Sequence, residues 1–287
     1  MVSYQEIELA VLILVTFIYA IFDVFNKRNV PNIFVYLTIA VGIIIALVSN
    51  SGLGLLIALT IAAVVGLLGY AVYRAGLLGG GDVLEFVFIS LVMPTQMQPF
   101  YSSAYQWNVP FILSVIIAAG YTSLIFIPIY YLGVKKSQKN ANAYEMKNVK
   151  RGIAFVVAYV VLIVALNYTY GISLIGVVLI LLLAISSAII MIYERRIYFG
   201  MVEIIYPSKL EEGDMIAINL MDKKDIEYFR RRANFGRLAS KQVISKIKSV
   251  KKKLPVYRDS VPFSLFLFIG VIISLLFGNL ILAITGL

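Results

Sequence analysis

Long apolar runs, separated by short polar breaks, make up most of the chain. Eight stand out, at about 8–24, 32–49, 53–75, 83–94, 109–134, 151–168, 172–193 and 261–284. A run of about 18 or more apolar residues is long enough for a helix to cross the hydrocarbon core of a bilayer. The pattern therefore predicts an all-α polytopic membrane protein with about eight spans, and at least six. The fourth run is short for a crossing and needs tilt, extension into 95–108, or shielding by neighbouring protein.

One long interval, 194–260, is polar and predicts a small α+β insertion before the last span. Met201–Tyr206 and Met215–Leu220 have strand character, with Gly213 and Asp214 as turn chemistry between them. Asp222–Arg232 reads as a helix. Leu238–Leu254 reads as another, because Val243, Ile244, Ile247, Val250 and Leu254 recur at helical spacing. Lys241, Lys246, Lys248, Lys251, Lys252 and Lys253 surround that stripe. Such a helix either lies on anionic lipid or packs its apolar side inside the insertion. The second reading is favoured, because the neighbouring strands also need a cover. The chain then divides into a membrane part (1–193), a soluble insertion (194–260) and a last span (261–287).

Charge orients these segments. With eight crossings, all 25 Lys and Arg residues fall within 25–31, 74–82, 135–151 and 194–260, which lie on one side. The opposite side has none. Cationic loops stay in the cytoplasm, so those four segments are expected there, in a multi-pass plasma-membrane protein with both termini outside. The net charge of +10 is then a topology signal, and no nucleic-acid partner is expected. The first run lacks a basic stretch before it and carries Glu6 and Glu8 nearby, so it is expected to be a retained span rather than a cleaved signal peptide.

Composition narrows the chemistry. Hydrophobic residues make up 61% and charged residues 14% of the chain, against about 25% charged in a typical soluble domain. Cysteine and histidine are absent. Thiolate or imidazole metal sites, cysteine nucleophiles and histidine-dependent triads are thereby excluded. No cofactor and no metal is expected, and any catalysis must use carboxylates, hydroxyls, lysine or arginine.

Ionisable groups at the spans are costly and are functional candidates by default. Asp23 closes the first span and Asp82 opens the fourth. The topology places both at one depth, at the cytoplasmic ends of their helices. Two neighbouring carboxylates resist double ionisation and share a proton. The charged one can take a proton from water while the neutral one polarises a peptide carbonyl, which is aspartic-protease chemistry. Asp82 ends the run Leu78-Gly79-Gly80-Gly81-Asp82, whose glycines remove bulk and allow unusual backbone conformations. Asp82 is also placed to cap the fourth helix. Pro31 suits the start of the second span. Glu85 shares a helix face with Asp82; it pairs with Arg74, lines the site or touches a substrate cation. Taken alone, an aspartate at a span end is often only interfacial, and Gly-Gly-Gly-Asp is often only a turn and cap. The matched depth of the pair favours function.

These residues resemble a known family. Asp23 followed eight residues later by Pro31-Asn32, and then Gly79-x-Gly81-Asp82 before the fourth span, is similar to the type IV prepilin peptidases. The archaeal prepilin and preflagellin (pre-archaellin) branch, which carries a soluble insertion before its last span, is the nearer match. The Gly-x-Gly-Asp element is shared with presenilin-like intramembrane proteases, but their Pro-Ala-Leu element is missing here. The resemblance covers about 15–95, the insertion and the last span. It implies a membrane aspartyl endopeptidase that cuts short basic leader peptides from pilin-like or archaellin precursors at the cytoplasmic face. It implies Asp23 and Asp82 as the catalytic pair and Gly79 and Gly81 as the motif glycines; read from the residues themselves, Gly79 and Gly81, and more weakly Glu85, are the substrate-binding candidates. The expected partners are those precursors and membrane lipids. The chain departs from the bacterial branch in three ways. It lacks the paired cysteines, it has no room for an insertion between the first two spans, and it has Leu84 where those members carry lysine. No methyltransferase activity is expected. The eight runs exceed the six usual in preflagellin peptidases, with 151–193 the extra pair.

Two other functional classes remain. An ion- or proton-coupled transporter would use Asp23 and Asp82 as cation or proton sites, although such carboxylates tend to sit near the membrane midplane. A structural subunit would dock partners through 194–260. The Asn167-Tyr168-Thr169 sequon lies in too short a loop to favour glycosylation. Tyr101, Tyr105 and Trp107 are expected to be interfacial aromatics.

Overall fold

A computed structural model describes residues 4–26, 30–95, 97, 100, 109–134, 146–233, 235–258 and 262–280. Tyr101, Tyr105 and Trp107, and most of the polar stretch 137–147, lie outside them. The eight apolar runs all fold as helices: α1 (Tyr4–Phe25), α2 (Asn32–Ser49), α3 (Leu53–Arg74), α4 (Gly80–Val92), α5 (Phe111–Ile129), α6 (Met146–Tyr170), α7 (Leu174–Ile192) and, after the insertion, α11 (Phe263–Phe277). Six are long and apolar enough to cross a membrane, while α11 has only 15 residues and α4 only 13. A π-helical turn, Tyr130–Val134, extends α5 beyond Pro128, where the ring removes a backbone donor.

The short α4 is the centre of the bundle. It packs against α1, α2, α3, α5 and α11, and eight of its residues are buried, from Val83 to Val92. Its apolar side chains therefore face protein rather than lipid, and the helix need not match the membrane thickness by itself. Small residues on its neighbours permit the close approach. A Cβ on Gly69 of α3 would lie 2.7 Å from Val83 Cγ1, and one on Gly42 of α2 would lie 3.2 Å from Phe88. The α5–α11 contact is tighter still: a Cβ on Gly270 would lie 2.6 Å from the Val115 carbonyl oxygen. In contrast, α6 meets the bundle through α7, with Gly152 against Ile192. Its many exposed apolar side chains, such as Val157, Val161 and Val164, suit a lipid-facing position. Gly171, in the left-handed region, ends α6, and the Ser173 hydroxyl caps α7 by accepting from the Gly176 N–H. The sequon is therefore in the last turn of α6 rather than in a loop.

The insertion contains α8 (Glu194–Gly200), β1 (Glu203–Ile205), α9 (Lys223–Arg230), α10 (Lys241–Ile247) and β2 (Leu254–Val256). Strands β1 and β2 pair antiparallel, Glu203 opposite Val256 and Ile205 opposite Leu254. Ile205, Ile216, Phe229, Phe235, Val243, Ile247, Leu254 and Val256 form a separate apolar core, so the lysine-flanked stripe is packed inward. Two expectations are corrected here. Met215–Leu220 is not a strand: Met215 and Ile216 make isolated bridges, the chain turns at Ala217, and Ile218–Leu220 is a 3-10 turn. Leu238–Leu254 is not one helix either. Its helix ends at Ile247, and Leu254 joins β2. Proline at 255 disfavours helical geometry in the residue before it and lacks an N–H, and β1 supplies the competing partner.

Arg258 binds the end of β2 to the rest of the insertion. Its guanidinium donates to Asp214 Oδ2 and to the Lys209 carbonyl, both at 2.8 Å. The insertion also touches the α3–α4 connection. Gly76 adopts a left-handed φ of 69°, and a Cβ there would lie 3.0 Å from Arg237 Cβ.

Candidate active site

Asp23 lies in the last turn of α1 and Asp82 in the first turn of α4. The α1–α4 and α1–α11 packing brings these two helix ends to the start of α11. There Ser264, fully buried, contacts both carboxylates. Its backbone N–H donates to Asp23 Oδ2 at 2.8 Å, and its hydroxyl donates to Asp82 Oδ1 at 3.4 Å, a longer and weaker bond. The first N–H groups of a helix have no partner within the helix. Ser264 follows Pro262 and Phe263 at the α11 start, and its free donor is satisfied by Asp23.

The second oxygen of Asp82 is held within its own element. Asp82 is the third residue of α4 and reaches back to accept the Gly79 N–H at 3.0 Å, the carboxylate half of a capping box. The expected capping role therefore takes this reciprocal form, with Asp82 inside the helix. A Cβ on Gly79 would lie 2.9 Å from Asp82 Oδ2. The glycine at 79 is thus explained by space and not by backbone freedom: its φ is −74°, and neither Gly80 nor Gly81 has positive φ. A Cβ on Gly81 would meet only Val30, at an ordinary 3.8 Å.

Glu85 is fully buried one turn beyond Asp82. Neither of its oxygens has a hydrogen-bond partner among the described residues, so the Arg74 pairing is not formed. Asp82, Asp23 and the Ser264 hydroxyl lie within electrostatic reach of it, although the hydroxyl falls short of hydrogen-bond geometry. Tyr19, one turn before Asp23, is also fully buried, and its hydroxyl shares a 2.9 Å hydrogen bond with Thr38 of α2. This contact and the Tyr19–Phe34 edge packing lock α1 to α2.

The structure thus brings together Asp23, Asp82 and Glu85 from the sequence reading, with Gly79 against Asp82. Sequence reasoning missed Ser264 and Tyr19. Ser264 did carry a signal, as a polar residue at the beginning of the last apolar run and on the side where both aspartates were expected. Comparison with the curated proteins and with the solved structures gave no significant match. Residues 10–127 match the model of the type IV leader peptidase family. That stretch contains Asp23, the glycine run, Asp82 and Glu85, while Ser264 lies beyond it. Through this membrane portion the chain is similar to the type IV leader peptidase family.

Proposed function

We propose that the protein is an aspartyl endopeptidase that removes short basic leader peptides from pilin-like or archaellin precursors at the cytoplasmic face of the membrane. The observation that carries this reading is the convergence of Asp23 and Asp82, 59 residues apart in sequence, on the single residue Ser264. Two carboxylates so placed hold one proton between them and can activate a water. The charged carboxylate takes a proton from the water as it attacks the scissile carbonyl. The neutral one donates its proton to the carbonyl oxygen, giving a tetrahedral diol. Collapse of the diol, with a proton passed to the leaving nitrogen, breaks the C–N bond. Both groups are at helix ends, which suits cutting at a membrane boundary, whereas a transport site would be expected nearer mid-span. The 194–260 insertion is then a cytoplasmic domain beside the site.

Within this reading Gly79 and Gly81 line the approach of the substrate strand. Glu85, buried without a hydrogen-bond partner among the described residues, receives a substrate cation once the site opens. The decisive test expresses Asp23→Asn and Asp82→Asn beside the wild type in membranes containing a pilin-like precursor and follows cleavage on gels. The wild type should release the shortened product, and each variant should accumulate intact precursor while remaining inserted. Wild-type cleavage by either variant removes that carboxylate from the mechanism.

A further inference from the structure

The contacts of Ser264 imply a role for the last helix that the family match over 10–127 does not include. Asp23 and Asp82 are on different helices, and their separation is not fixed by either one. Ser264 touches both. Its backbone donor holds Asp23 at 2.8 Å and its side-chain donor reaches Asp82 at 3.4 Å. The residue is fully buried, so water does not compete for these donors. The surroundings fix it as well. Phe263 packs edge-on against Phe86 of α4, and Phe266 lies in the main core against Phe126 of α5. Gly270 brings α11 into backbone contact with α5.

We infer that Ser264 is a positioning residue for the carboxylate pair, setting the distance and the hydrogen-bond environment of Asp23 and Asp82 from the start of α11. The two bonds are unequal. Asp23 is held by a short bond from a rigid backbone donor, and Asp82 by a longer bond from a rotatable hydroxyl. Ser264 therefore holds two chemically identical groups differently: its rigid backbone donor is on Asp23 and its rotatable hydroxyl is on Asp82, whose other oxygen accepts from the Gly79 N–H. This assignment rests on the aspartyl-peptidase reading for its catalytic consequence, but its structural content does not.

The test uses the purified full-length chain in liposomes, with a peptide that carries a basic leader and a pilin-like apolar segment. Ser264→Ala deletes the hydroxyl but keeps the backbone donor and the helix, and Ser264→Thr restores a hydroxyl. Misplacement by about 1 Å can cost about a hundredfold in rate. Ser264→Ala should therefore lower kcat by roughly ten- to a hundredfold, leave KM within about twofold, and displace the pH–rate profile. Ser264→Thr should recover most of kcat and the wild-type profile. In parallel, infrared spectra of protein with isotope-labelled aspartate should show a displaced titration of the carboxyl band in Ser264→Ala, with or without substrate. Wild-type kcat and pH profile in Ser264→Ala overturns the inference. Equal impairment of both variants with lowered melting temperatures also overturns it, by reducing Ser264 to a packing residue. If the wild type cuts nothing, the peptidase reading fails on its own, and the infrared titration still decides: an unshifted band in Ser264→Ala rejects the positioning role.

Discussion

The Gly79 N–H donates to Asp82 Oδ2 at 3.0 Å, and a methyl group on Gly79 would come within 2.9 Å of that same oxygen. One close approach therefore both holds the carboxylate and forbids a side chain at 79. In Gly79→Ala the side chain of Asp82 must swing away, because its end is the movable partner. Cleavage should fall by roughly ten- to a hundredfold with little change in melting temperature. Gly81→Ala, whose methyl meets Val30 at ordinary contact distance, should fold equally well. Rate measurements on the two variants separate the roles. If Gly81→Ala is as inactive as Gly79→Ala, the need at 81 comes from substrate approach and not from the resting geometry.

Glu85 is buried with neither oxygen hydrogen-bonded among the described residues, an arrangement that costs stability unless something pairs with it. Glu85→Gln should leave thermal stability equal or higher. Its effect on catalysis should be on binding: KM for a basic leader peptide rises several-fold, and kcat stays within about twofold. Steady-state kinetics with a leader whose cations are replaced by glutamine supply the check. A variant penalty that persists on the neutral leader removes Glu85 from cation recognition.

Gly270 and Gly69 predict graded losses of stability. A methyl on Gly270 meets the Val115 carbonyl oxygen at 2.6 Å and the Ala119 N at 3.0 Å, which are backbone atoms of α5. A methyl on Gly69 meets the Val83 side chain at 2.7 Å. Overpacking costs about 1–3 kcal/mol, and backbone yields less readily than a side chain. Gly270→Ala should therefore destabilise more than Gly69→Ala in detergent unfolding titrations. The reverse order would mean that α5 and α11 separate more easily than their contact implies.

Tyr257 gives the insertion a dependence on alkaline pH. Its hydroxyl hydrogen-bonds to Asn219 at 2.8 Å, and burial raises its pKa above the ordinary tyrosine value. A group that holds its proton more tightly when folded stabilises the fold fully below its unfolded pKa of about 10. That contribution is lost as pH rises through the higher folded value. The insertion should thus lose stability above about pH 10, and Tyr257→Phe should flatten that part of the curve. Melting curves of the full chain, followed by hydrogen exchange at the insertion, test the slope.

Much of the architecture was legible because bilayer crossing and helix formation are local requirements. Eight apolar runs became eight helices, and Asp23 and Asp82 were recognisable as carboxylates at helix ends. The insertion was read less well. The Val243–Leu254 periodicity extends past Ile247 on paper, but Pro255 and the presence of β1 decide that Leu254 is in a strand. The glycines at 79–81 signalled a tight element, while the reason at 79, contact with Asp82 Oδ2, is a distance that spacing does not contain.

By itself, the sequence determined the membrane class, the exclusion of thiol and imidazole chemistry, and the placing of two carboxylates at the ends of apolar runs, since each follows from residue type and run length. Only the tertiary structure decided that the 13-residue α4 can sit at the centre of the bundle, because shielding depends on which helices surround it. It alone showed Glu85 without a hydrogen-bond partner among the described residues. It also placed Ser264 on Asp23 across 241 residues. A contact at that separation is set by how α1, α4 and α11 pack together, and no local pattern records it.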